Sequence, residues 1–140
     1  MKLAYKVGEI PDSQELGKLF AQTTWATKRG NNEIRRMLEN TDLVLTVRSK
    51  GELVGFGRAI TDGTYRALVE DIVVKDSFRK KGIGKGIMTE LLKHLESVEK
   101  VYLHTSPPLC NFYSSLGFEE NSGLTMYRKV EPVAGTDPAR

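Results

Sequence analysis

The chain has 140 residues, with 21 Lys and Arg against 18 Asp and Glu and a net charge of +3, enough for one domain with a real core. The mild, dispersed positive charge gives no argument for nucleic acid. No apolar run reaches the roughly 20 residues of a membrane span, and the single Cys110 rules out an internal disulfide or a cysteine-built metal centre. The start Met1-Lys2-Leu3-Ala4-Tyr5-Lys6 lacks the apolar stretch of a signal peptide, so a cytoplasmic location is the default expectation.

Residues 3–8 read as a first strand. Asp12-Ser13-Gln14-Glu15 is a helix start, with Asp12 able to cap and Glu15 at the reciprocal position. Leu16, Leu19 and Phe20 give that helix an apolar face. A polar connection over 23–32 carries Trp25, the only tryptophan. A second short helix comes next over 33–39, with Ile34, Met37 and Leu38 on one side. Residues 43–48 and 52–60 are strands joined by a turn at Ser49-Lys50-Gly51. Gly55 and Gly57 inside the second of these point to a bulge or to a close approach by another group. After the turn Thr61-Asp62-Gly63, a strand runs over 65–74.

That strand leads into Arg79-Lys80-Lys81-Gly82-Ile83-Gly84 and then a helix over 83–95, where Ile83, Ile87, Met88, Leu91, Leu92 and Leu95 recur at helical spacing. Glycines allow close backbone approach, and the first N–H groups of a helix are unpaired and lie at the positive end of its dipole. A phosphate-bearing ligand is therefore expected at this turn. A P-loop would end in Gly-Lys-Ser/Thr, but Lys85 is followed by Gly86. A dinucleotide fingerprint would need a third glycine where Ile87 stands. The next strand, over 100–104, should lie parallel to the one before the helix. Ser106-Pro107-Pro108 opens a short helix that Gly117 closes, Phe118 begins another strand, and residues 124–130 form the last. The order β-α-α-β-β-β-α-β-α-β-β describes an α/β sandwich on a mixed sheet. One domain is expected over 1–130, with a frayed tail over 131–140.

The hexapeptide Arg79 to Gly84 matches Arg/Gln-x-x-Gly-x-Gly/Ala in full. With the preceding Asp71-Ile72-Val73-Val74 and the downstream Asn111-Phe112-Tyr113-Ser114-Ser115-Leu116-Gly117-Phe118, it resembles the GNAT superfamily of N-acetyltransferases over residues 43–128. The resemblance implies a mixed sheet with antiparallel N-terminal strands, a parallel pair of fourth and fifth strands that splay apart, and about four flanking helices. It implies acetyl-coenzyme A as cosubstrate and no metal. It assigns the cofactor to Ile72, Val73 and Val74 on the strand, to Arg79, Lys80, Lys81, Gly82, Ile83, Gly84 and Lys85 at the turn, and to Asn111 and Phe112. Many members place their asparagine earlier, where this chain has Ser106 or Pro107.

Acyl transfer needs an amine freed of its proton, a donor for the oxyanion and an acid for the departing thiolate. The resemblance implies direct attack, an oxyanion donor from the backbone around Val73 and Val74, and Tyr113 as general acid. It carries a base or ammonium-holding role to Glu70 first and Asp71 second. Adjacent strand residues face opposite sides unless a bulge re-aims one. His104, at the end of the fifth strand, is another candidate for the acceptor side. The resemblance also lifts Trp25 to a substrate-pocket candidate.

The Glu-Asp pair suits a cationic small molecule such as a polyamine or amino sugar. The strand through Phe56 and the Asn-Phe-Tyr block also resemble the arylalkylamine acetyltransferases, in which Trp25, Phe56 and Tyr65 would line an aromatic slot. A protein lysine or N-terminus, and a non-catalytic acyl-coenzyme A sensor or interaction module, are the alternatives. Acetyl and longer acyl donors both stay open, as does a homodimer formed through an exposed C-terminal strand.

Overall fold

Alternating apolar residues place five strands in one sheet of order β1-β2-β3-β4-β5. These are β1 (Ala4–Val7), β2 (Leu43–Ser49), β3 (Glu52–Thr61), β4 (Arg66–Val74) and β5 (Lys100–Leu103). The first four run antiparallel, and β4 and β5 are parallel. This is the mixed sheet expected from the sequence. The structure, a computed structural model, describes residues 2–130. The expected tail over 131–140 lies outside the described residues. The chain divides into two compact units, one ending at His104 and one beginning at Thr105.

In the first unit, helix α1 (Ser13–Phe20) starts as its sequence requires. Asp12 Oδ1 accepts the Gln14 N–H at 2.7 Å, and Glu15 Oε1 accepts the Asp12 N–H at 3.3 Å. Helix α2 (Asn31–Glu39) begins two residues earlier than the apolar pattern suggested, because the Gly30 N–H donates to Glu33 Oε1 at 3.1 Å. Leu16, Leu19, Phe20, Ile34 and Leu38 of these helices bury against Val44, Leu53, Phe56 and Val73 of the sheet.

Helix α3 (Ile83–Lys93) packs against β3 and β4. The glycines of β3 make room for it. A methyl group on Gly57 would sit 2.7 Å from Ile87 Cγ2 and 2.8 Å from Ile72 Cδ1, and one on Gly55 would press on Val47 and Ile83. Both meanings read from these glycines apply, because the β3–β4 register also shifts between Phe56 and Arg58.

The second unit holds helix α4 (Cys110–Ser114), preceded by a 3₁₀ turn at Pro107–Leu109. It ends in a Schellman pattern. The Phe118 N–H donates to Tyr113 O at 3.1 Å, and the Gly117 N–H to Ser114 O at 3.1 Å, with Gly117 at φ +93°. The Tyr113 and Phe118 rings then meet edge to face at 6.0 Å. That contact explains the Tyr-x-x-x-Gly-Phe spacing. The strands expected from Phe118 onward and over 124–130 are not formed among the described residues. Leu124, Met126 and Tyr127 are almost fully exposed. An apolar alternation makes a strand only where a neighbouring strand takes up its backbone hydrogen bonds.

Arg48 of β2 anchors α1 to the sheet. Its Nη1 and Nη2 hold both oxygens of Glu15 at 3.0 and 2.6 Å, and its Nε donates to Glu9 at 2.6 Å. The hydrogen bonds from Arg48 hold the Glu15 carboxyl below its ordinary 4.5. A lowered folded-state pKa adds stability above the unfolded value, and that stability is lost as pH falls through the folded one. The urea midpoint should therefore drop between roughly pH 5 and pH 3. In Glu15→Gln that portion of the pH dependence should vanish.

Candidate acyl-transfer site

The β4 strand carries a bulge where Asp71 and Ile72 together face Gly57 of β3: Val73 pairs with Phe56, and Glu70 already pairs with Arg58. Asp71 takes the left-handed conformation at φ +56°, which aspartate tolerates better than most residues. The bulge resets the alternation. Directly paired residues share a face of the sheet, so Glu70 stands on the same face as Arg58. Asp71 turns to that face as well, since Arg58 Nε donates to its Oδ2 at 2.7 Å. The two neighbouring carboxylates are thus brought together on the α1–α2 side.

They are not equivalent there. The Asp71 side chain is 1% exposed and takes a second ion pair from Arg29 Nη1 at 2.9 Å. Both pairs fall on Oδ2, and Oδ1 has no hydrogen-bond partner. Asp71 therefore presents no surface to an incoming amine. Its side chain is held as an anchor at the bulge, where the expected pair of carboxylates is unequal in exposure. Glu70 is half-buried and has no hydrogen bond or ion pair among the described residues. The Arg58 guanidinium opposite it is committed to Asp71.

Arg29 belongs to the connection between α1 and α2. Its guanidinium stacks 4.8 Å from the Phe20 ring centre and 5.6 Å from that of Trp25. Trp25 is exposed rather than in the core, and the cation beside it holds its ring near the bulge. Phe56, expected to touch the acceptor, is fully buried and packs edge to face on Phe20 at 6.0 Å. It cannot line a slot, because a β3 side chain two residues before Arg58 faces the helix-covered core. Tyr65 and His104 are both exposed, His104 one residue beyond β5. Sequence reasoning missed Arg29 and Arg58. The signal available was two arginines and one aspartate with no local partner, which sequence separation hid.

Pairing between β4 and β5 runs from Arg66 with Lys100 to Val69 with Leu103 and stops there. From Glu70 onward, β4 has no β5 partner. The Lys75 N–H donates to Val54 O of β3 at 2.8 Å. Strand alternation then turns the Val74 amide the other way, to the open edge. Its carbonyl, on that edge, accepts Arg79 Nε at 3.2 Å. Ile72 and Val73 complete this segment, with Ile72 against Gly57 and α3 and Val73 in the core.

The chain leaves β4 through a 3₁₀ turn at Asp76–Phe78. Lys80 at φ +62° and Gly82 at φ +83° bend the backbone so that α3 begins at Ile83. No side chain caps this helix. The first closing bond is Gly86 N–H to Gly82 O at 3.0 Å, so the amides of Ile83, Gly84 and Lys85 are left for an anion. Lys81 stands over the Phe78 ring at 5.4 Å. A cavity of about 560 Å³ beside it is lined by Lys2, Ser49, Lys50, Glu52, Phe78 and Lys81.

In the second unit, Tyr113 is half-buried between Phe112, whose ring lies 4.9 Å away, and Phe118. Burial raises its hydroxyl above the ordinary 10, which keeps it protonated at neutral pH. Asn111 is exposed at the start of α4.

Removing one partner of a buried ion pair leaves a buried charge uncompensated. Arg58→Met should lower the unfolding free energy by about 3 kcal/mol, read from urea denaturation. Arg29→Ala, at a more exposed pair, should cost about 1 kcal/mol.

Three comparisons bear on this arrangement. The chain is similar to serotonin N-acetyltransferase 2, chloroplastic, of Oryza sativa subsp. japonica, at 30% identity over 135 residues, covering 89% of this chain and 67% of that protein. It spans about two thirds or less of the length of the curated relatives it matches. A probable acetyltransferase from meticillin-resistant Staphylococcus aureus superposes with a TM-score of 0.78 at 25% identity, covering 91% of this chain and all of that one. Glucosamine-6-phosphate N-acetyltransferase from Arabidopsis thaliana shares the fold, with a TM-score of 0.76 at 21% identity, covering 94% of this chain and all of that one. The model of the Acetyltransferase (GNAT) family matches residues 11–118, and the chain belongs to that family.

Proposed function

We propose that this chain transfers an acetyl group from acetyl-coenzyme A to the primary amine of a small molecule. The observation that carries this reading is the pairing of two features, one on β4 and one at the start of α3. An unpartnered carboxylate, Glu70, stands where the strand edge opens, and an uncapped helix start with free amides lies beyond the next turn. The cofactor's pyrophosphate suits the amides of Ile83, Gly84 and Lys85, with Arg79, Lys80 and Lys81 adding positive charge. Its acyl arm would run along the open edge of Ile72 to Val74. The Val74 N–H would then serve as a donor to the thioester oxygen.

In this reading Glu70 attracts the ammonium group and accepts its proton, directly or through water. A carboxylate is a weak base in water, so much of its contribution is to hold the amine. The neutral amine attacks the acetyl carbon, a C–N bond forms and the C–S bond breaks. The Tyr113 hydroxyl gives its proton to the departing thiolate, a role carried over from the family motif, and the second proton of the amine nitrogen passes to the resulting tyrosinate, directly or through water, which restores Tyr113. The products are the N-acetyl amine and free coenzyme A. The name of the rice relative, a serotonin acetyltransferase, makes an arylalkylamine one of the acceptors to test, beside polyamines and amino sugars.

Steady-state kinetics on an acetylated amine test these roles. Tyr113→Phe should lower kcat by at least about tenfold, with little change in the KM for acetyl-coenzyme A. Glu70→Gln should lower kcat/KM for the amine by roughly 10²-fold. Equal kcat in wild type and Tyr113→Phe would remove Tyr113 from the proton transfer.

A further inference from the structure

The face that presents Glu70 continues as an uncovered apolar strip. Ile60 of β3 pairs directly with Leu68 of β4, and Leu68 with Tyr102 of β5. Paired residues share a face, so these three side chains form one row across three strands. The row lies two positions from the Arg58–Glu70 pair, on the same face. Its side chains are 46%, 37% and 38% exposed, although each is large and apolar. The opposite face of these strands is filled by Ala59, Ala67 and Val69, all buried. The exposure is therefore confined to the side that carries Glu70.

We infer that Ile60, Leu68 and Tyr102 are the floor on which the apolar body of the acceptor lies while its amine is held at Glu70. This chain then selects primary amines with an aromatic or aliphatic body over polyamines and amino sugars. The inference rests on the amine-acetylation reading above. Two residues along a strand span about 6.7 Å, and three adjacent strands about 10 Å. The floor is therefore the size of one or two fused rings, set from the carboxylate by the reach of a short alkyl linker. It is far smaller than the roughly 800 Å² per partner that a stable protein interface buries.

Charge decides against the other acceptors. On the far side of the strip stand Arg66 and Lys100, themselves paired in register. A polyamine bound with one ammonium at Glu70 would lay its next cation on apolar side chains, and beyond them Glu99 is already paired with Arg66 at 3.3 Å, beside Lys100. Arg29 and Arg58, on the near side, leave no second free carboxylate for it, because Asp71 is closed off. A sugar would set most of its hydroxyls on Ile60 and Leu68, which offer no hydrogen bonds, with only the Tyr102 hydroxyl to meet them. An aromatic or aliphatic amine meets an apolar floor and a single counter-charge.

The test measures initial rates with tryptamine, phenethylamine, spermidine and glucosamine at saturating acetyl-coenzyme A, with Leu68→Asp and Tyr102→Ser beside the wild type. Acetyl-coenzyme A binding is followed separately by calorimetry. Both substitutions are at exposed positions, and circular dichroism checks that each variant is folded. The expected result is a kcat/KM for tryptamine at least about tenfold above that for spermidine. Each variant should lose about tenfold in kcat/KM for tryptamine, mostly through KM, with acetyl-coenzyme A affinity unchanged. Preferred acetylation of spermidine or glucosamine would overturn the inference and leave the amine-acetylation reading standing. So would a tryptamine KM that neither variant moves. Acetyl-coenzyme A binding with no amine acetylated would overturn that reading, and this inference with it.

Discussion

A buried aspartate held by two arginines ties the connection between α1 and α2 to the sheet. Asp71 sits at a bulge with a left-handed backbone, and its side chain has almost no contact with solvent. A carboxylate in that position needs cationic partners to stay ionised. Arg58 supplies one from β3, across the bulge it helps define. Arg29 supplies the other from the connection between α1 and α2, 42 residues away in sequence. A single carboxylate thereby draws a helix connection onto the sheet and fixes the bulge. Because Arg29 also stacks on Phe20 and Trp25, the same interaction orients the tryptophan.

The clamp has a chemical consequence for its neighbour. Arg58 lies directly opposite Glu70 in the β3–β4 register, where a cross-strand ion pair would be expected. Asp71 takes that guanidinium instead. Glu70 is left with its charge unspent, beside the point where β4 and β5 part. One carboxylate is taken up in two ion pairs, and the side chain of the adjacent one is left unpaired. The bulge is what makes this possible, because without it the two would face opposite sides of the sheet.

The turn into α3 is shaped by backbone rather than by side chains. Lys80 and Gly82 take positive φ, α3 starts without a cap, and the β3 glycines let that helix lie against the sheet. The free amides and the open β4 edge therefore belong to one rigid arrangement of strand, turn and helix. A family that shares this arrangement can vary its acceptor freely, since the acceptor is read by other residues. Here the residues beside Glu70 are apolar on one side and cationic beyond.

The local elements were legible in the sequence because short-range physics governs them. The Asp12–Glu15 capping box, the strand-turn-helix from Val69 to Leu95 and the Tyr113–Phe118 helix ending each depend on residues a few positions apart. Glu70 and Asp71 were visible as a pair, yet their inequivalence was not, since it comes from Arg29 and Arg58, which are distant in sequence. Phe56 could be read as apolar but not as core or slot wall, because either face of a strand accepts a phenylalanine. The alternation over 124–130 suggested a strand, yet a strand exists only where another supplies its hydrogen bonds. By itself the sequence determined the family, the glycine-bearing turn into α3 and the order of elements through β5, all written in local spacing. Only the tertiary structure decided which carboxylate is free and which apolar residues lie beside it, because bulge, register and long-range ion pairs are properties of packed strands.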